Sequence, residues 1–330
     1  MLRRDILKAI GVGAFAWPVA AQAQQQIAKS PRVGVLWHAG NEEEEAIYLA
    51  ALKRGLRQMG YIDGRNIELV NRFADEKYER FAGQATELAE LKVDAIVASI
   101  TPAALAAKRV TSSIPVVFVL VPDPVKSELV DSLARPTGNL TGFSTAMIET
   151  SKKRLALFKE CIPSLSSVAI MMNPSRPDHR LYVEETMAAA SVLQLGCAAL
   201  EIRGPAEIPV AFDTMATGRC DGLVVFGDGL FYNERARIGK LALSHRLPTM
   251  MFSRETCEIH GILMSYGPDL ALLFERAATY VSKILKGAKP SDLPVERPTK
   301  YPFIINAKTA KTLDLSIPVS TLVSADELIE

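Results

Sequence analysis

Two aspartates follow apolar segments of the sequence, and their chemistry depends on what surrounds them. Asp123 lies between Pro122 and Pro124, after the run VVFVLV, and Asp228 follows the run GLVVFG. Two carboxylates held close together with perturbed pKa values could act as acid and base in a hydrolase or isomerase. The sequence offers no G-x-G-x-x-G after its first strand and no G-x-x-x-x-G-K-[ST], H-E-x-x-H or G-x-S-x-G motif. We therefore expect that the protein is not an enzyme and uses no cofactor. Each aspartate is then either a ligand contact or a turn residue.

Apolar segments alternate with helical segments from Arg32 onward. RVGVLW, VDAIVASI and IPVVFVLV are short and almost wholly apolar, and segments such as EEEEAIYLAALKRGLRQMG show helical periodicity between them. The same order begins again with SSVAIMMNP. This alternation predicts an α/β fold with two doubly wound parallel-sheet lobes joined by a hinge of several crossovers.

The expected domain boundaries follow from the two series of strands and helices. We expect lobe 1 over residues 31–146 with about 263–288, and lobe 2 over 147–262 with about 289–330. The ligand cleft would lie between the lobes, with hinge segments near 143–150, 264–268 and 289–295. The segment VKSELVDSLARP after Asp123 is predicted to be a helix.

Ligands of open parallel sheets bind beyond the carboxyl ends of the strands, and this rule selects the candidate site. Thr101 and Pro102 resemble an N-cap followed by a first-turn proline, where free N–H groups would suit an anion. Glu42 to Glu45 are expected to face solvent in a first helical turn. The candidate ligand-binding residues are Trp37, Asn41, Ser99, Thr101, Pro102, Asp123, Phe143, Asn173, Asp228 and Tyr266.

The first 23 residues have the pattern of a secretory signal peptide. MLRRDILKAIGVGAFAWPVAAQA has a basic start with two arginines, a short apolar run and an A-x-A end. It predicts twin-arginine-like export to the periplasm with cleavage after Ala23; the alternative is an amphipathic first helix. The net charge of +1 without a basic tract argues against nucleic acid as a partner. The four histidines show no metal-ligand spacing, and the pairing of the four cysteines is left open.

Several segments spread over nearly the whole chain resemble one family. They are RRDILKAIGVGAFAWPVAAQAQ, VPDPVKSELVDSLARPTGNLTGFST, MMNPS, GILMSYGPDLALLFERAATYVSKILKGAKPSDLPVERPTKY and IINAKTAKTLDLSIP. These segments are similar to ABC-transporter substrate-binding proteins, a type I periplasmic solute-binding family that includes aromatic amino acid binders. The resemblance implies a ligand in a cleft, closure of the lobes around it and delivery to a permease. The first loop, HAGNEEEE, is more acidic than the family pattern, so the resemblance does not fix the ligand.

These observations lead to an expected function with two alternatives. We expect a monomeric periplasmic binding protein for a small carboxylate-bearing solute, with an amino acid of the aromatic type favoured. In this hypothesis Thr101 and Ser99 hold the carboxylate, and Asp123 or Asp228 takes an amino or hydroxyl group. Trp37, Phe143 and Tyr266 would supply apolar walls. The alternatives are a sensor that docks to a receptor, and the hydrolase or isomerase that would use Asp123 and Asp228.

Overall fold

The structure, a computed structural model, describes residues 30–330, so the predicted signal peptide lies outside the described residues. No helix within residues 30–330 is long and apolar enough to cross a membrane. The strands are β1 Arg32–Trp37, β2 Glu68–Phe73, β3 Ala95–Ser99, β4 Val116–Val121, β5 Leu140–Ser144, β6 Ser167–Met172, β7 Gly196–Glu201, β8 Gly222–Val225, β9 Thr249–Met251, β10 Met264–Tyr266, β11 Phe303–Asn306 and β12 Glu327–Ile329. The helices are α1 Ala46–Gln58, α2 Arg80–Glu90, α3 Thr101–Val110, α4 Ser151–Cys161, α5 Pro177–Val192, α6 Glu207–Thr217, α7 Gly229–Asn233, α8 Arg235–Ser244, α9 Arg254–Cys257, α10 Leu270–Leu285, α11 Ala307–Thr312 and α12 Val319–Ser324.

The first lobe is built on a five-stranded sheet in the order β2-β1-β3-β4-β5, and all its strand pairs are parallel. Strands β3 and β5 are buried along their whole length because helices or other segments cover both faces. Helix α10 packs against α1, and Gly55 allows a close approach: a Cβ there would lie 2.3 Å from the Glu275 carbonyl oxygen.

The second lobe has a seven-stranded sheet in the order β12-β11-β10-β9-β8-β6-β7. The pair β10–β11 is antiparallel and the other pairs are parallel. Each lobe therefore contains the strand–helix alternation that the sequence predicted, and the α/β architecture is confirmed.

The C-terminal part of the chain divides between the lobes differently from the expected boundaries. Strand β10, expected in lobe 1, pairs with β9 in the second sheet, and only the following helix α10 packs on the first lobe. Val295 belongs to the first lobe's core, and Glu296 forms a bridge with Phe143 at the end of β5. A three-residue strand is too short for its periodicity to show which sheet it joins, because that choice depends on long-range pairing.

The predicted helix after Asp123 is absent: residues 124–136 form turns and bends. Asp123 Oδ1 accepts hydrogen bonds from the backbone N–H groups of Val125 (3.1 Å) and Lys126 (2.9 Å), which fixes a turn. Leu129 and Val130 then bury their side chains in the first lobe's core. The local hydrogen bonds of the aspartate and this tertiary burial outweighed the helical pattern.

Cys161, Cys197, Cys220 and Cys257 are free thiols in this structure. Cys161 and Cys257 are buried, and burial raises the pKa of both thiols to about 12. These thiols therefore stay protonated and unreactive at neutral pH.

Candidate functional site

The carboxyl ends of strands from both sheets meet around one cavity. It encloses about 50 Å³ of free space in this arrangement and is partly open to solvent. Residues after β1, β3, β4, β5, β8 and β9 contribute to its wall, together with side chains from α1, α5, α7 and α10. The lining residues are His38, Tyr48, Ile100, Leu120, Pro122, Thr145, Met147, Arg176, Tyr182, Gly227, Asp228, Gly229, Tyr232, Phe252 and Leu270.

The first lobe presents strained backbone to this cavity. Ile100 has φ +83° and ψ 158°, a conformation that costs energy for a β-branched residue. Leu120 has φ +57° at a shift in the β4–β5 register. Both residues line the cavity, and strain of this kind is typical of sites where the backbone must follow a functional geometry.

Asp228 is the most highly connected polar side chain in the second lobe's part of the wall. It is the N-cap of α7, where its Oδ1 accepts from the N–H of Leu230 at 3.0 Å. The side-chain amide of Asn173 donates to the same oxygen at 3.2 Å. His179 stabilises this arrangement through the residues next to Asp228. Its Nδ1 accepts a hydrogen bond from the Asn173 N–H at 2.9 Å, and its Nε2 lies 3.2 Å from the Gly227 carbonyl oxygen.

The two lobes touch directly beside Asp228. The hydroxyl of Tyr78, in the first lobe, lies 3.1 Å from Asp228 Oδ2. Asn233, at the end of α7, donates to Glu76 Oε1 of the first lobe at 3.4 Å. Gly229 lies beside this contact, and a Cβ at that position would lie 2.2 Å from the Glu76 carboxylate.

His38 forms the charged centre of the first lobe's side of the contact. Its Nδ1 lies 2.9 Å from Glu76 Oε1, and its Nε2 lies 3.5 Å from Glu45 Oε1. Burial alone would lower the pKa of His38, but the carboxylates of Glu45, Glu76 and Asp228 raise it to about 9. The imidazole is therefore protonated at neutral pH.

The expectation that Glu42 to Glu45 all face solvent is wrong for Glu45. This residue is 1% exposed because it pairs with His38 and its carboxylate accepts a hydrogen bond from the N–H of Ala39.

Aromatic side chains form much of the remaining wall. Tyr48 from α1 and Tyr232 from α7 approach from opposite lobes with ring centroids 6.1 Å apart. Tyr182 from α5 stacks on Phe226, with centroids 4.8 Å apart. Arg176 also lines the cavity, but its guanidinium is bound by both oxygens of Asp178, at 2.9 and 2.5 Å. The arrangement offers flat apolar surface together with charges of both signs.

Among the predicted site residues, the structure places Asp228 in the cavity wall and Asn173 directly behind it. The three aromatic residues expected to form walls lie elsewhere. Trp37 is fully buried, donates to Asn71 Oδ1 at 3.0 Å and packs on Phe274. Phe143 packs on Tyr280 in the core, and Tyr266 is half-buried beside Tyr301. Each belongs to a strand end, but successive side chains lie on opposite faces of a strand, and none of these three lines the cavity.

The residues expected to bind an anion are also arranged differently. The Ser99 hydroxyl donates to the Leu36 carbonyl oxygen at 2.8 Å and is already engaged. Helix α3 begins at Thr101 with Ile100 as its N-cap, so Thr101 does not cap it. Thr101 lines a neighbouring groove between α3 and α5 instead of the main cavity, and Pro102 occupies the first turn.

Asn41 and Asp123 make local turns. Asn41 Oδ1 accepts from the N–H groups of Glu43 and Glu44 in an exposed loop. Asp123 caps the turn described above and is not part of the cavity lining. For Asp123 the turn interpretation therefore describes the structure, and a pairing with Asp228 at one catalytic centre does not.

Several residues of the site were not selected from the sequence. Glu76 and Tyr78 follow β2, so the strand-end rule would have found them had it been applied to that strand. Tyr48, Tyr182 and Tyr232 lie on helices, and no local sequence signal shows which face of a helix borders a cavity. No group of three or more His, Cys, Asp or Glu side chains within residues 30–330 is placed to hold a metal ion.

Two α/β lobes with a cavity at their junction define a type I periplasmic binding protein fold, and solved structures of such proteins share it. Residues 43–329 match the family described as ABC transporter substrate binding protein, and the chain belongs to that family. Its members, like the similar proteins below, are substrate-binding proteins and not enzymes.

Three similar proteins are informative. A tyrosine-binding protein of Clostridioides difficile is 29% identical over 262 residues, which cover 79% of this chain and 75% of that protein. An ABC domain of Streptococcus pneumoniae in complex with L-Trp is 25% identical with a TM-score of 0.82, covering 91% of this chain and 100% of that chain. The ligand-free, open structure of CD0873 from Clostridium difficile, a substrate binding protein with adhesive properties, is 24% identical with a TM-score of 0.65, covering 91% and 99%.

Proposed function

We propose that this protein is the periplasmic solute-binding component of an ABC importer, which captures a small carboxylate-bearing solute between its lobes and delivers it to a membrane permease. The observation that carries the proposal is the cavity at the junction of the lobes, because its wall combines tyrosines from both lobes with Asp228. A site built from two lobes can close around its ligand. Export by the predicted signal peptide, with cleavage after Ala23, would bring the protein to the compartment where such capture occurs.

The ligand class we favour is an aromatic amino acid. Tyr48, Tyr182, Tyr232 and Phe252 offer ring faces and edges to an aromatic side chain. Asp228 would receive the amino group, since its carboxylate lies in the wall and carries the negative charge that an ammonium group requires. A relative named for tyrosine binding and a similar structure that holds L-Trp support this choice.

Closure of the lobes would follow from binding. A ligand that contacts both lobes favours the closed arrangement by its differential affinity for that state. The contacts near Tyr78 and Gly229 across the cleft are of the kind that a closed arrangement would make, which supports this part of the proposal. The higher TM-score against the L-Trp complex than against the open structure, at similar identity, agrees with this interpretation. The crossovers 145–150, 267–269 and 297–302, which connect the lobes in residues 30–330, would act as hinges.

A thermal-shift screen of residues 24–330 tests the proposal. Amino acids, aromatic acids, sugars and nucleosides would be added separately at millimolar concentration. Binding to the native state stabilises by about 2.7 kcal/mol at a hundred times Kd, so we expect a rise in melting temperature with L-tyrosine or L-tryptophan. A shift with sugars or nucleosides alone, or turnover of any compound, would contradict the proposal. Co-purification with a permease would separate the importer from a receptor-docked sensor.

A further inference from the structure

Arg154, on α4, is a buried cation without a carboxylate partner in the described part of the chain. Its side chain is 2% exposed, yet no Asp or Glu of residues 30–330 lies within 4.0 Å of its guanidinium nitrogens. Nη2 donates to the Met251 carbonyl oxygen at 3.3 Å, and Nε is buried without a hydrogen-bond partner. Burial lowers the pKa of Arg154 to about 10, so the group remains charged at neutral pH.

An uncompensated charge of this kind is costly. Removing an ion from water without a partner destabilises a protein by several kcal/mol. Arg176 in the same lobe shows the usual solution, because it is equally buried but is bound by both oxygens of Asp178. Arg154 therefore has no compensating carboxylate among residues 30–330.

The neighbours of Arg154 connect it to the cavity. Its hydrogen-bond acceptor, Met251, directly precedes Phe252 in the cavity wall. Tyr182 and Thr145 line the cavity, and the hydroxyl of Thr145 is buried without a hydrogen-bond partner within residues 30–330. Arg154 on α4 and Tyr182 on α5 are both buried, and these two helices pack against each other.

We propose that Thr145, Arg154 and Tyr182 form the subsite for the ligand's carboxylate, which we call the anion corner. The hydroxyls of Thr145 and Tyr182 donate hydrogen bonds to the carboxylate, and Arg154 supplies the compensating charge from behind them. The inference deepens the proposed function and rests on it. It also moves the anion from the Thr101 position, which lines the neighbouring groove, into the main cavity.

A comparison of amino acids with the amines that lack the carboxylate tests the anion corner. L-tryptophan, tryptamine, L-tyrosine and tyramine would be titrated by calorimetry into the wild type, Arg154→Met, Thr145→Val and Tyr182→Phe. Arg180→Met is the matched control, since its side chain on α5 is 85% exposed. Each pair of probes shares its ring and amino group, so only the carboxylate differs.

We expect Arg154→Met to weaken binding of the amino acids by about tenfold or more and to leave amine binding within about threefold. Thr145→Val and Tyr182→Phe should show the same selectivity with smaller losses, and Arg180→Met should match the wild type. If Arg154→Met does not fold, as judged by circular dichroism, the other two variants decide the question.

Equal losses for amino acids and amines, or no loss in any variant, would overturn the anion corner while leaving the proposed function intact. A wild-type protein that binds neither amino acid would overturn the proposed function and the anion corner with it. The two failures are therefore distinguishable in a single set of titrations.

Discussion

The hydroxyl of Tyr78 lies 3.1 Å from Oδ2 of Asp228, and this hydrogen bond joins the two lobes. The same carboxylate lines the cavity, caps α7 through the Leu230 N–H and accepts from Asn173. One side chain thus takes part in the fold of the second lobe, in the contact between lobes and in the proposed site. Substitutions at and around this carboxylate should therefore distinguish effects on lobe closure from effects on ligand contact.

Tyr78→Phe removes the hydrogen bond across the cleft and keeps the ring. A hydrogen bond to a charged group contributes about 1.5–3 kcal/mol, so the closed state should lose population and ligand affinity should fall by about tenfold or more. Small-angle X-ray scattering should show a larger radius of gyration at the same ligand concentration. Tyr61→Phe, at a half-buried residue outside the cavity wall, is the control. An unchanged radius and affinity in Tyr78→Phe would show that this contact does not hold the lobes together.

Asp228→Asn and Asp123→Asn form a matched pair. Asparagine keeps an oxygen for the N-cap of α7 or for the turn at residue 123, but it removes the charge. We expect Asp228→Asn to weaken amino acid binding by at least about tenfold and Asp123→Asn to leave it unchanged, because only Asp228 lines the cavity. Calorimetry measures both, and an effect of equal size in the two variants would remove the distinction drawn between these aspartates.

Gly229→Ala places a methyl group against the other lobe. The new Cβ would lie 2.2 Å from the Glu76 carboxylate in this structure, and we expect opening of the lobes to relieve the clash. We expect an increased population of the open form and weaker ligand binding with little change in the stability of the ligand-free protein. Gly204→Ala, where a Cβ would meet nothing within 4 Å, is the control. Spin labels in the two lobes would report the distance distribution, and identical distributions for both variants would contradict the expectation.

His38 should make the protein's stability depend on pH. Its pKa is raised to about 9 in the folded protein by the facing carboxylates of Glu45, Glu76 and Asp228, against about 6.5 when unfolded. The interactions that raise this pKa contribute fully to the free energy of unfolding below about pH 6.5. Their contribution is lost as the pH rises through about 9. His38→Gln should therefore lower the free energy of unfolding by up to about 3 kcal/mol at pH 6 and by much less at pH 10.

Urea denaturation at a series of pH values measures that difference. The exposed His260→Gln is the control and should match the wild type across the range. A gap between wild type and His38→Gln that stays constant from pH 6 to pH 10 would contradict the assigned protonation of His38.

The sequence predicted the alternating strands and helices because each apolar run is local and its period is clear. It also found Asp228, because the strand-end rule needs only a strand and the residues after it. It failed for Trp37 and Phe143, since the face on which a strand-end side chain lies depends on register. It missed Tyr48, Tyr182 and Tyr232 because their position at the cavity is set by how helices pack around the cleft, which is a property of the tertiary structure.

Titration of residues 24–330 with L-tyrosine and L-tryptophan by calorimetry tests the central claim most directly, namely that the chain holds an aromatic amino acid between its lobes. We predict one site per chain for at least one of them, with micromolar or tighter Kd, and a marked loss of affinity in Asp228→Asn. The absence of binding heat for both amino acids at several temperatures would contradict the account, as would binding that Asp228→Asn leaves unchanged.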